Sequence, residues 1–242
     1  LQERDDNIYR ITFEAEPIPA NIRNGGVGGT NRYKEMLDKG LEREALILET
    51  SEKIENLKKK MYIQTKSYDE LLDMAKNKEL QLAATPAIAP VANKNLKRIA
   101  SGYGYRIDPF SKARTMHKGL DFSAPSGTPV YVTGDGVVKR VEKNDRGGYG
   151  KHIDVDHGFG FVTRYGHLYS INVKKGQKIK RGELIGQVGN TGRSSAPHLH
   201  YEVHKYSKQV NPVNYFGQEL TPDEYEMVLK LSSVENQALG SY

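Results

Sequence analysis

The chain has no cysteine among its 242 residues, which excludes a disulfide framework, a thiolate metal site and a cysteine nucleophile together. Any metal must then be held by histidine and carboxylate. The same lack is compatible with a cell envelope or a cytosol and leaves the compartment open. No apolar run reaches the roughly 18 residues of a spanning helix, so nothing in the chain reads as crossing a bilayer. An initial methionine is missing as well: the chain starts at Leu1, which points to a removed leading segment and permits a signal peptide or membrane anchor upstream. Excess charge of one sign is small, 36 Lys and Arg against 30 Asp and Glu, and favours non-specific attraction to anionic polymers such as wall glycans, nucleic acid or phospholipid headgroups.

The length suits one full domain with a smaller accessory region, and composition divides it further. Residues 1–29 are polar and end in a glycine-rich stretch, IRNGGVGGTNRY, which reads as a flexible or docked arm. Residues 30–82 follow a charged helical pattern in which Ile47, Ile54, Met61, Tyr68 and Ala75 recur every seven residues, with Leu57 and Leu71 interleaved. These imperfect heptads predict an amphipathic, short coiled-coil-like helical region that offers a surface for a protein partner or for self-association. The segment AATPAIAPVA opens a linker over 83–98, because proline breaks helix and favours extended backbone. From 99 to 217, short β-branched runs such as TPVYVTG, KHIDVDHG and GELIGQVG are punctuated by glycine. This predicts a mainly antiparallel β domain and an α+β chain overall. Thr221, Pro222 and Glu224 stand in N-cap, first-turn and capping-box order, predicting a helix over 222–231 within a 218–242 tail.

All seven histidines, at 117, 152, 157, 167, 198, 200 and 204, fall in the β region, which locates any chemistry there. In APHLHYEVH, strand alternation puts His198, His200, Glu202 and His204 on one face and Leu199, Tyr201 and Val203 on the other. In MHKGLDF, Gly119 between His117 and Asp121 allows a turn that joins imidazole to carboxylate. A catalytic zinc needs three protein ligands and one open position. One His and one Asp from this motif, with one His from 198–200, meet that count. A remaining histidine is then free to act on protons or on a developing oxyanion. His167 closes the alternating run FVTRYGHL and, read by itself, is a solvent-facing strand end. HIDVDH is a rival metal candidate, since His152, Asp154 and Asp156 share a face, but it reads better as a solvated one. Nothing assigns a role to His204.

MHKGLDF, YGHL and TGRSSAPHLHYEV in this order resemble the lysostaphin-type, or LytM-like, peptidoglycan zinc endopeptidases. The resemblance runs from about Ile99 to Phe216 and takes in SGYGYRIDP, GTPVYVTGDGVV and the hairpin VKKGQKIKRGELIGQVG. It implies a lysostaphin-type β catalytic domain that holds one zinc through His117, Asp121 and His200, with His167 and His198 as catalytic histidines. It further implies hydrolysis of peptide cross-links in bacterial peptidoglycan by a zinc-activated water, with stem peptides and cross-links as partners, in the cell envelope. SSA before PHLH departs from the pattern of many members and leaves the ligands intact. The hairpin alone is also similar to biotinyl and lipoyl carrier domains, but no modified-lysine turn accompanies it. A non-catalytic wall-binding or hydrolase-regulating module is the competing reading. Because every ligand-capable histidine lies beyond the prolines, residues 1–92 are expected to be dispensable for zinc binding.

Overall fold

A computed structural model describes residues 2–23, 42–92, 98–108, 111–146, 148–216 and 226. The helix expected over 222–231 lies outside the described residues except for Glu226, which is helical. The chain divides into two compact units, Leu1–Leu80 and Gln81–Tyr242.

In the first unit the described part of the arm is docked, and the glycine-rich stretch lies outside the described residues. Residues 2–12 are helical, in part with π-type bonding, and Ala20–Arg23 forms a further turn. The physical reason is a buried carboxylate. Asp5 has no exposed surface and takes a hydrogen bond from Ser67, which is buried on the long helix Glu42–Ala84, together with ion pairs from Arg10 and Arg23. An ionised side chain can be buried only with such partners, so Asp5 ties the arm down. Of the heptad positions on the long helix, Leu71 is buried whereas Ile47, Ile54, Leu57 and Met61 are exposed.

The second unit is mainly antiparallel sheet. Its strands are β1 (Arg98–Ser101), β2 (Gly104–Ile107), β3 (Arg114–His117), β4 (Leu120–Ser123), β5 (Pro129–Tyr131), β6 (Gly136–Glu142) and β7 (His152–Gly158). They continue with β8 (Phe161–Gly166), β9 (Leu168–Ile171), β10 (Lys178–Ile179), β11 (Leu184–Val188), β12 (His198–Lys205) and β13 (Lys208–Val210). The large sheet runs β1-β4-β12-β8-β7-β6-β10 with β13 beside β12. A smaller one runs β5-β11-β9, and β2 with β3 forms a separate hairpin. Alternation sends Leu120 and Phe122 of β4, Ile153 and Val155 of β7, and Leu199, Tyr201 and Val203 of β12 into one core with Val130, Ile185 and Val188 of the smaller sheet. Within it the hydroxyls of Tyr165 and Tyr201 both meet Thr133 Oγ1, at 3.0 and 2.9 Å, so the two largest buried side chains leave no phenol unpaired.

Of the expected linker, residues 93–97 lie outside the described residues. Residues 83–92 pack on the β domain and belong to its compact unit. Val91 is fully buried in the core, the Ala87 and Tyr131 amides donate to the carbonyls of Thr133 and Pro90, and Arg181 reaches the carbonyls of Leu82, Ala83 and Thr85. Proline stops the helix here, as its missing N–H requires, but the extended backbone beyond it still pairs with the domain.

A candidate metal centre

Strand register assembles the site. On β12, His200 stands opposite Asp121 of β4 on one side and Gly166 of β8 on the other, one residue before His167. His117 ends β3, and the intervening Gly119 joins it to β4. The chain bends at Gly119 as expected, and the residue also makes a close approach to β12. A Cβ there would overlap the Tyr201 carbonyl oxygen and lie 3.0 Å from both His200 Cε1 and Glu202 Cγ. Gly119→Ala is therefore expected to push the His117–Asp121 pair off β12, costing about 1–3 kcal/mol and weakening metal uptake. Thermal melts with and without zinc check this, and melting temperatures equal to those of the unmodified protein in both states would rule the clash out.

The three atoms His117 Nε2, Asp121 Oδ1 and His200 Nδ1 form a triangle with sides of 3.2, 2.8 and 3.2 Å. All three residues are buried, and together they form the metal-capable cluster found among the described residues. A tetrahedral ion with bonds of about 2.0–2.1 Å separates its ligand atoms by about 3.3 Å, so donor set and spacing fit such an ion. His117 Nδ1–H donates to the Gly102 carbonyl at 2.6 Å, which leaves Nε2 as the lone-pair nitrogen facing the triangle.

His167 and His198 stand beside it, their ring centroids 4.7 Å apart. His167 Nδ1–H donates to the Thr191 carbonyl at 2.7 Å and His198 Nδ1–H to that of Ala196 at 2.8 Å, so both keep Nε2 unprotonated. His198 Nε2 lies 3.7 Å from Asp121 Oδ1. His167, expected from the bare strand pattern to face solvent, is buried and adopts a left-handed backbone, φ +59°. Such strain in a residue other than glycine concentrates at functional sites. An open cleft of about 180 Å³ runs over these groups, lined by Arg106, Tyr149, His167, Arg193, His198 and His200 among others. At its rim Arg193 pairs with Asp108 at 2.7 Å.

Burial and charge set the protonation states. Burial, aided by the charges of His198 and His200, pushes the His167 imidazole down to about 3. Burial also lowers His198, against the opposing pull of Asp121. For His200, burial is outweighed by the carboxylates of Asp121 and Glu202, which raise it to about 9. Burial would raise Asp121, but His117 and His200 hold it well below the usual carboxylate range.

The signs of these shifts oppose one another. The depressed His167 and His198 contribute stability that is complete above the unfolded value near 6.5 and is lost as pH falls below it, toward about 3 for His167. The raised His200 contributes stability that is complete below 6.5 and is lost as pH rises toward about 9. Metal-free protein should accordingly melt highest near pH 6.5, and a melting temperature that climbs steadily to pH 9 would contradict this balance.

Two contacts of the candidate site were missed in the sequence. Arg106 donates to Asp121 Oδ2 at 3.0 Å and to Ser101, so a permanent cation sits against the carboxylate of the triangle. It lies within SGYGYRIDP, a segment matched as a motif without a residue-level role. Glu202 accepts from His200 Nε2 at 3.0 Å, supplying the carboxylate behind the imidazole. Strand alternation had already placed it on the correct face. His204, to which no role was assigned, donates to the same carboxylate at 2.6 Å. The rival HIDVDH set forms no metal-capable cluster among the described residues, but the solvated face expected for it is corrected, since His152, Asp154 and His157 are buried. Asp154 is held bidentately by Arg164 at 2.7 and 2.8 Å, and His157 bonds Thr163 and the Asp135 carbonyl.

An antiparallel β domain with a His–Asp–His donor triangle, and two further imidazoles with free Nε2 atoms beside it, has the equipment of a metal-dependent hydrolase. Residues 115–212 match the family described as Peptidase family M23, in agreement with the lysostaphin-type resemblance of the motifs.

Among curated relatives, the chain is 44% identical over 117 residues to the DD-carboxypeptidase/endopeptidase Mpg of Neisseria meningitidis, covering 48% of this chain and 26% of the relative. It is 46% identical over 115 residues to the peptidoglycan DD-endopeptidase ShyA of Vibrio cholerae, covering 47% and 26%. The chain thus spans about a quarter of the length of these relatives. A solved zinc containing peptidase from Vibrio cholerae is 40% identical, covering 52% of this chain and 39% of that one at a TM-score of 0.48.

Proposed function

We propose that the protein is a zinc-dependent endopeptidase that hydrolyses peptide cross-links of bacterial peptidoglycan, with His117, Asp121 and His200 as ligands and His167 and His198 as catalytic histidines. The observation that carries this reading is the buried donor triangle with two tautomer-fixed imidazoles beside it. A donor set of nitrogen and oxygen without thiolate, three ligands strong, suits a catalytic zinc. When bound, zinc supplies an electrophile that acidifies water and polarises a scissile carbonyl.

The chain's own residues do the rest. The unprotonated Nε2 of His167 or His198 takes a proton from the attacking water and, once protonated, returns it to the leaving amine. Arg106 and the Gly102 carbonyl hold Asp121 and His117 in place, so little reorganisation is needed when the substrate arrives.

Relatives named DD-endopeptidase favour the direct cross-link between D-alanine and a diamino acid over an interpeptide bridge. The cell envelope follows as the site of action, and the excess of six positive charges suits an anionic wall. The exposed Ile47, Ile54, Leu57 and Met61 suit a protein partner or self-association through the helix. Digestion of defined muropeptide dimers by the zinc-loaded full chain, followed by mass spectrometry, tests the activity. Directly cross-linked dimers should be converted to monomers. Intact dimers after incubation with folded, zinc-loaded protein would favour the non-catalytic wall-binding reading.

A further inference from the structure

We infer that Glu202 is the positioning residue of the metal centre, holding His200 by its far nitrogen, and that Tyr149 and His204 in turn hold Glu202. This rests on the metal reading above and extends it behind the ligands. His200, Glu202 and His204 alternate on one face of β12, yet Glu202 has no exposed surface. Its carboxylate is fully engaged. Oε1 accepts from His200 Nε2 at 3.0 Å and from the Tyr149 hydroxyl at 2.7 Å, and Oε2 accepts from His204 Nε2 at 2.6 Å.

A purely structural reading would make Glu202 the partner of Arg164. The distances decide otherwise. Arg164 spends its bidentate face on Asp154, stacks over the Tyr149 ring at 4.5 Å and comes only to 3.9 Å from Glu202. The short bonds of Glu202 go to two imidazoles and a phenol. With Nε2–H held by Glu202, Nδ1, which faces Asp121 and His117, is the nitrogen left to give its lone pair to a metal once its own proton is displaced. A carboxylate behind a ligating imidazole fixes its tautomer and ring plane and raises its basicity, and loss of such a partner costs about 10–100-fold in metal affinity. Tyr149 adds a second constraint, because its ring packs on His200 with centroids 5.4 Å apart while its hydroxyl holds the same carboxylate.

The test measures zinc affinity by competition with a chromophoric chelator, and the His200 tautomer by imidazole nitrogen chemical shifts, in the full chain. Glu202→Gln keeps the shape and one acceptor oxygen but loses the charge and the second acceptor. Zinc affinity should fall about 10–100-fold, and the His200 signals should show mixed tautomers, at a wild-type circular dichroism spectrum. Unchanged affinity and tautomer in a folded Glu202→Gln protein would overturn the assignment. If Glu202→Gln does not fold, Tyr149→Phe removes only the hydroxyl to Oε1. A loss of affinity there supports the relay and wild-type affinity overturns it. Wild-type protein that takes up no zinc would sink the metal reading itself, and this inference with it.

Discussion

Replacing His200 by alanine is expected to abolish both zinc binding and turnover, whereas replacing His198, two residues away on the same strand face, should leave about one zinc per chain and slow turnover by roughly 10²-fold or more. The separation follows from where each nitrogen points. His200 Nδ1 is a corner of the donor triangle, 2.8 Å from Asp121 Oδ1, and His200→Ala removes that corner. It also takes the His200 donor away from the buried Glu202 carboxylate, so the variant should lose stability as well as metal. His198 Nε2 stands 3.7 Å from Asp121 Oδ1, outside the triangle, and its loss removes a proton carrier while the three donors stay in place. His167 should behave like His198. It is better tested as His167→Asn than as alanine, because asparagine tolerates the +59° backbone angle at that position. Metal content by elemental analysis, beside cross-link cleavage on the same preparations, reads the result. Zinc retained by His200→Ala and lost by His198→Ala would reverse the roles.

A chain beginning at Gln81 should fold and bind zinc, whereas one beginning at Asn93 should be strongly destabilised. The removed stretch carries Val91, whose full burial contributes about 2 kcal/mol. It also carries the backbone pairs of Ala83, Ala87 and Pro90 with Asp135, Thr133 and Tyr131, each contributing about 1 kcal/mol. Arg181, which now reaches three carbonyls of this stretch, would lose them all. A net stability of roughly 5–15 kcal/mol is typical of a domain, so a loss of this size should lower the urea midpoint markedly and leave much of the shorter protein unfolded at 37 °C. Coincident urea midpoints for the two truncations would show the 81–92 packing to be dispensable. The expectation that residues 1–92 are dispensable for zinc binding is therefore narrowed to residues 1–80.

The sequence by itself determined the faces and the inventory. A period of two on β12 assigned His198, Glu202 and His200 to one side and Leu199, Tyr201 and Val203 to the core, because successive strand side chains must point in opposite directions. The lack of cysteine restricted any metal to imidazole and carboxylate, and the family resemblance of MHKGLDF, YGHL and PHLH implied that the three motifs form one site. Tertiary structure decided which elements meet. Periodicity carries no information on register, so only the pairing of His200 with Asp121 and Gly166 shows how the three segments converge. Arg106 could not be placed on Asp121, nor could Glu202 be distinguished from a solvated strand glutamate, until the covering groups were known. The docking of the arm and of the proline segment was not legible for a related reason. Polar and proline-rich composition reports a weak local preference for regular structure, while Asp5 and Val91 are fixed by partners 62 residues away on the long helix and in a distant sheet. Such long-range burial outweighs local propensity, and only the folded chain reveals it.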